Sequence, residues 1–289
     1  MNNYLIILSG LPRGGNQTWN SIIRNVVKPL DADLAICTGN QIDKSSVLYK
    51  NAKYKWLFDE YDDWFNYYEE NFDGYWKEVF DIGFETGLYN SGSVHFAIKD
   101  IVKKNYLSQI KKYDFLIYSR FDQFFLMKHP KFNDGNIWIP EGENYTGICD
   151  RHALLPTMFA EDYLDICNFV DNKILDYEIP EYLNCEAVYK MHLKDIGIYK
   201  HIKRHDRFQF TSAKKTDFTR WRIPKYKLFL YNDLNLKYPN ELLQSVETLI
   251  KRNKFFSLLT TNFREFLNFL YLRLRISLGK MKRKVNKVE

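Results

Sequence analysis

The run Tyr113-Asp114-Phe115-Leu116-Ile117-Tyr118-Ser119 is almost continuously apolar and stops on Arg120-Phe121-Asp122. It is too short for a core helix. An uninterrupted apolar run of this length reads as a strand buried on both faces, which is how strands of a parallel sheet under helices look. Tyr4 to Ser9 and Asp33 to Thr38 read the same way. Between these runs the period changes to that of a helix, with Trp19, Ile22, Ile23 and Val26 on one face of Thr18 to Val27 and Val94, Ala97, Ile98 and Ile101 along Ser93 to Lys112. Strands alternating with helices predict an α/β fold with a mostly parallel sheet. In open sheets of that kind ligands bind outside the carboxyl ends of the strands. The loop after Ser9 and the charged residues at 120–122 are therefore the first places to look for a ligand.

The rest of the chain is less regular. Residues 60 to 80 are dense in aromatics and acids and read as helical, with a break near Gly74. Past Asp122 the pattern predicts a short strand over Asn136 to Ile139, a strand end or loop at Gly147 to His152, helices near Ala160 to Leu175 and Glu181 to Gly197, and a basic strand-like stretch from Ile198 to Phe210. Nothing repeats and no low-complexity linker interrupts the chain. One domain is expected over residues 1–240, followed by a distinct segment over 241–289.

Composition narrows the class. With 45% hydrophobic residues the chain can fill a sizeable core, and 22 Phe, 21 Tyr and 6 Trp supply most of it. The four cysteines (37, 149, 167 and 185) are far apart and fit reduced thiols in a cytosolic protein. No run reaches the length and apolarity of a membrane span. The net charge of +6 is unevenly placed: from Lys251 onward there are 11 Lys/Arg and 2 Asp/Glu, leaving 31 and 34 for the rest. A slightly acidic body does not predict a nucleic-acid-binding face.

That basic tail also carries a pattern. Apolar residues at 255, 256, 259, 263, 266, 267, 270 and 274 form one helical stripe, with Arg264, Asn268 and Arg275 opposite and Lys280-Met281-Lys282-Arg283-Lys284 beyond. Such a helix suits a membrane interface rich in anionic headgroups, which predicts peripheral membrane association through 255–284 on the cytoplasmic, inner face of the cell membrane. The plainer alternative is a C-terminal helix packed on the body with a solvated basic end.

The loop Gly10-Leu11-Pro12-Arg13-Gly14-Gly15, between strand and helix, can offer backbone N–H groups and a helix N-terminus to an anion. It lacks the Gly-Lys-Ser/Thr ending of a Walker P-loop. Locally it resembles the phosphosulfate loop of sulfotransferases, although Gly15, Asn16 and Gln17 stand where hydroxyl residues would touch phosphate.

The order of the pieces as a whole resembles bacterial glycosyltransferases of the GT-A type that build capsule and lipopolysaccharide. The resemblance is carried by the first strand and loop, Ala32-Asp33-Leu34-Ala35, the phrase Tyr113 to Asp122, Ile137 to Arg151, and Asn184-Cys185-Glu186, spanning roughly residues 4 to 210. It implies a GT-A-like, Rossmann-like mixed sheet flanked by helices, a nucleotide-sugar donor and a polysaccharide or lipid-linked saccharide acceptor. In that family an Asp-x-Asp motif holds a Mn²⁺ or Mg²⁺ ion on the donor diphosphate. Only the second acid maps here, onto Asp122, which implies a divalent cation at Asp122; Arg120 replaces the first acid and can clamp phosphate instead.

Gly10, Arg13, Gly14, Arg120 and Asp122 are accordingly the expected nucleotide-binding residues. Glycosyl transfer also needs a base for the acceptor hydroxyl. Asp150 leads the candidates because it adjoins Arg151 and His152, followed by Glu186, Glu161 and Asp162. His201, Arg204 and His205 are further candidates for the diphosphate. Two other readings remain open on the sequence: a sulfotransferase using the 10–18 loop, and a non-catalytic module bound to a membrane surface.

Overall fold

The computed structural model describes residues 2–219, 225–228, 230–231, 233–252, 259–260 and 262–285, the last eight by their backbone alone. Strand β1 (Tyr4–Ser9) is buried along its whole length. It pairs in parallel with β2 (Asp33–Gly39) on one side and β4 (Phe115–Arg120) on the other, and β3 (Tyr54–Phe58) pairs in parallel with β2. Successive side chains of a strand face opposite ways, so β1 feeds two cores. Leu5 and Ile7 join one with Tyr68, Phe80 and Phe96, while Tyr4, Ile6 and Leu8 join the other with Ile22, Val26 and Val246. This two-sided burial is the physical reason the strand has no polar positions until Ser9.

The large sheet is a mixed, Rossmann-like α/β sheet flanked by helices. Its order is β3-β2-β1-β4-β7-β6-β8, where β6 is Ile137–Pro140, β7 His152–Pro156 and β8 Ile202–His205. β7 is the reversed strand, antiparallel to both β4 and β6. On one face lie α4 (Phe65–Asn71), α5 (Trp76–Ile82), α6 (Ser93–Ile110), α7 (Ala160–Leu164), α8 (Ile166–Asn172) and α9 (Cys185–Asp195). The break expected near Gly74 falls between α4 and α5. The helix expected over 160 to 175 is two helices meeting at Asp165, and the one expected from 181 starts at Cys185, where the Asn184 side chain accepts from the Ala187 N–H as an N-cap.

The other face carries α1 (Gly15–Ile22), which begins three residues earlier than expected and continues through a π-helical turn into α2 (Lys28–Leu30). Against it lies a second, antiparallel sheet of order β10-β11-β9-β5, made of β5 (Gln123–Phe125), β9 (Gln209–Lys214), β10 (Tyr226–Lys227) and β11 (Leu234–Leu236). The stretch read as one basic strand from 198 to 210 is thus divided between β8 and β9, in different sheets. β5 is an edge strand, and α1 with the π-helical turn after it seals that edge: Phe125 N–H donates to Ser21 Oγ at 2.9 Å and its carbonyl accepts from Asn25 Nδ2 at 2.6 Å. The chain passes from the large sheet to the small one at Phe121-Asp122.

Two further helices follow α3 (Val47–Asn51) and the rest: α10 (Pro239–Lys251) and α11 (Phe263–Val285). The boundary expected at 240 cuts into α10, but that helix is built into the body. Leu242, Val246 and Leu249 are buried in the second core, and Glu241 is fully buried between Arg151 and Arg207.

Candidate functional site

A cavity of about 640 Å³ opens at the carboxyl ends of β1 to β4. Its walls come from the loop after β1 (Gly10, Leu11, Arg13), the turn after β2 (Asn40, Gln41), the loop after β3 (Asp59 to Asp62), Arg120 at the end of β4, His95 at the start of α6, and Glu186 in the first turn of α9. Tyr145, Arg151, Lys237 and Tyr238 also line it. This is where an open α/β sheet binds ligands. Gly10 approaches His95 closely enough that a Cβ there would lie 3.6 Å from the ring, and its backbone is left-handed (φ +94°), so glycine suits this turn.

Four cations, Arg13, Arg120, Arg151 and Lys237, line the cavity together with the acids Asp59, Glu60, Asp62 and Glu186. Arg120 donates to Asp150 Oδ2 at 2.8 Å, and Arg13 Nη2 lies 3.4 Å from Asp122 Oδ2. Arg151 is held by Glu241 Oε1 at 2.9 Å, beneath the Tyr238 ring. Arg207 reaches the same oxygen at 3.0 Å, and the second Glu241 oxygen accepts the Thr211 N–H. Lys237 is burdened by burial and then by the charges of Arg151 and Arg120, which bring its pKa down to about 8. Deeper, Lys99 is buried between the Tyr118 and Tyr189 rings, and burial lowers it likewise to about 8. His95 is pushed well below the usual imidazole range by burial and then by Arg120, so it is neutral at physiological pH.

Glu186 lines the same cavity, within electrostatic reach of Arg151 and Arg120. Burial, reinforced by the nearby charge of Asp150, raises its carboxyl to about 7. A carboxyl that titrates near neutrality can take a proton from a hydroxyl, as a general base must. The loop after β6 fixes its position: Gly147 packs so tightly on α9 that a Cβ would lie 1.8 Å from the Glu186 carbonyl, which instead accepts the Ile148 N–H at 3.1 Å. In the same loop Glu143, Tyr145 and Thr146 all have left-handed backbones (φ 51°, 42° and 71°), and Asn184 Nδ2 donates to the Tyr145 carbonyl. Strain of this kind collects at ligand-binding loops.

The expected residues therefore divide. Gly10, Arg13, Arg120 and Glu186 line the cavity. Asp150 does not: it is 2% exposed, and although burial works to raise its pKa, the charges of Arg120, then Lys99 and His95, hold it below the usual carboxylate range. Locked as the counter-ion of Arg120, it positions that guanidinium and is no base for a substrate. Gly14 is also spent, because its N–H donates to Asp217 Oδ2 at 2.8 Å. The N-terminus of α1 already has a carboxylate from its own chain, which removes the anion cradle read from the loop. Glu161 pairs with Lys111 on the surface, and Asp162 is exposed with its carbonyl accepting from His192. His201 lies against Phe159, and Arg204 donates to Asn144. His205 is buried with His129, His152 and Phe208 in a separate cluster. None of the three reaches the cavity.

A divalent cation at Asp122 does not suit these surroundings. Asp122 is 2% exposed, one of its oxygens faces Arg13, and Arg120 stands where a second carboxylate would be needed. Among the described residues no group of three or more His, Cys, Asp or Glu is arranged to hold a metal. Two guanidinium groups beside a single carboxylate repel a dication.

Sequence reasoning passed over His95, Lys237, Tyr145 and Tyr238 as site residues. His95 was hidden among the apolar positions of α6. Lys237 and Tyr238 arrive through the small sheet, far along the chain. No protein-family model matches this chain, and no curated protein matches its sequence.

Proposed function

We propose that the chain is a GT-A-like glycosyltransferase that moves a sugar from a nucleotide-sugar donor to a saccharide acceptor of cell-surface glycan synthesis. The observation that carries this reading is the cavity itself, which gathers Arg13, Arg120, Arg151 and Lys237 with a carboxyl that titrates near neutrality. The strand order β3-β2-β1-β4 with one reversed strand, β7, beside β4 supports it, as does the position of Arg120 at the end of that central strand.

In this reading Arg13, Arg120, Arg151 and Lys237 receive the donor diphosphate. The acceptor hydroxyl faces Glu186, which takes its proton as the hydroxyl oxygen bonds to the anomeric carbon. The bond from that carbon to the diphosphate oxygen breaks, and the electron pair leaves with the nucleoside diphosphate. Charge grows on the diphosphate during this step, so fixed cations aimed at it lower the barrier. Tyr145, Tyr238, Tyr61 and Trp64 offer faces for a sugar or base ring. A sulfotransferase reading loses support, since the Gly14 N–H of its loop is already taken by Asp217.

Thermal shift with UDP, GDP, CMP and adenosine 3′,5′-bisphosphate tests the proposal. A nucleoside diphosphate should raise the melting temperature, keep doing so in EDTA, and lose the effect in Arg13→Ala. Protection by adenosine 3′,5′-bisphosphate alone, or by no nucleotide, would overturn it.

A further inference from the structure

The C-terminal helix α11 uses its two sides differently. One side packs on the body: Phe269 and Leu272 enter the second core, Glu265 accepts a hydrogen bond from Tyr231, and Arg273 pairs with Glu247 of α10. Of the apolar stripe read from the sequence, Phe266 is half-buried against the second core, while Phe263, Leu270 and Leu274 lie on the opposite side. Phe263 is 48%, Leu270 41% and Leu274 65% exposed, and Leu259, just ahead of the helix, is exposed as well. With 100° between successive residues, 263, 270 and 274 fall within a narrow sector while 265, 269 and 272 lie across the axis. Phe255 and Phe256 of the same stripe lie outside the described residues.

Packing on the body accounts for Phe266 but not for Phe263, Leu270 and Leu274. Large side chains in register along an exposed helix face are a recognisable signature of a surface that meets something apolar. Charge says what kind. Arg275 is exposed one residue past Leu274, and the sequence continues with Lys280, Lys282, Arg283 and Lys284. No helix among the described residues is long and apolar enough to cross a membrane. A docked helix with apolar side chains outward and cations at its end matches the interface of an anionic bilayer, with the side chains among the acyl chains and the cations on headgroups.

We propose that α11 attaches the protein to an anionic membrane surface through Phe263, Leu270 and Leu274, while its other side stays docked on α10. This inference stands apart from the reaction assigned to the cavity.

Flotation of the full chain with vesicles tests it. Phosphatidylglycerol-rich vesicles should carry the protein, pure phosphatidylcholine vesicles should carry much less, and high salt should release it. The double variant Leu270→Gln/Leu274→Gln, altered only at exposed positions, should keep the wild-type melting temperature and lose at least about tenfold in partitioning. Equal flotation of variant and parent would overturn the proposal, as would binding indifferent to lipid charge. A wild-type dimer in lipid-free buffer that the double variant converts to monomer would also overturn it, because the face would then join two copies of this chain.

Discussion

Glu186 can be tested before any substrate is known. Its carboxyl is raised from 4.5 to about 7 in the folded protein by burial and by Asp150. Each pKa unit corresponds to about 1.36 kcal/mol, so the full shift amounts to roughly 3 kcal/mol. Glu186 is only half-buried on the cavity wall, where solvent screens part of this, and about 2 kcal/mol is the expected size. Because the folded pKa lies above the unfolded one, the native state holds the proton more tightly. That contribution to stability is complete below about pH 4.5 and is lost as pH rises through about 7. Glu186→Gln cannot ionise and should not show it. Urea denaturation at pH 5 and pH 8 is the assay: going from the lower to the higher pH, the parent should lose about 2 kcal/mol relative to the variant. The variant should thus be the more stable protein at pH 8 while losing transfer activity. Parallel stability–pH curves for the two proteins would refute the placement of Glu186 as a group poised near neutrality.

Glu241→Gln should destabilise the fold by about 3–5 kcal/mol, since it leaves Arg151 and Arg207 buried around an uncharged partner; a fall in melting temperature on the order of 10 °C is the readout. Gly147→Ala should cost at least about 1–3 kcal/mol in denaturant titration, because the new methyl group meets the Glu186 carbonyl and the loop must move off α9. The same variant should shift the pH window found for Glu186, while a wild-type profile would separate that loop from the site.

The parts of this fold that were legible in the sequence are those whose neighbours along the chain share their environment. β1, β2 and β4 are buried on both faces, so their apolar runs are unbroken, and the rule that ligands gather at strand ends led directly to Gly10, Arg13 and Arg120. Asp150 misled for the same reason. It stands beside Arg151 and His152 in sequence, which resembles a reactive cluster, yet it precedes β7, an interior strand, and its partners are Arg120 and Lys99. β3 and β5 went unread because edge strands are short and mix polar with aromatic residues. Arg151 meets Glu241 across 90 residues, and no local pattern reports such a pairing. In the tail, periodicity located the stripe but could not tell which side faces the body. The side that docks is the one bearing Glu265 and Asn268, whose polar groups are satisfied on burial.

The α10 helix has a consequence beyond its place in the core. Glu241 at its first turn grips Arg151 in the cavity wall, and Glu247 farther along the same helix holds Arg273 of α11. Thirteen residues of continuous helix behave as a short rigid strut, about 20 Å long at 1.5 Å per residue. The cavity wall and the docked side of α11 are thereby tied to two points along one helix, much as a bracket joins a lamp to a wall.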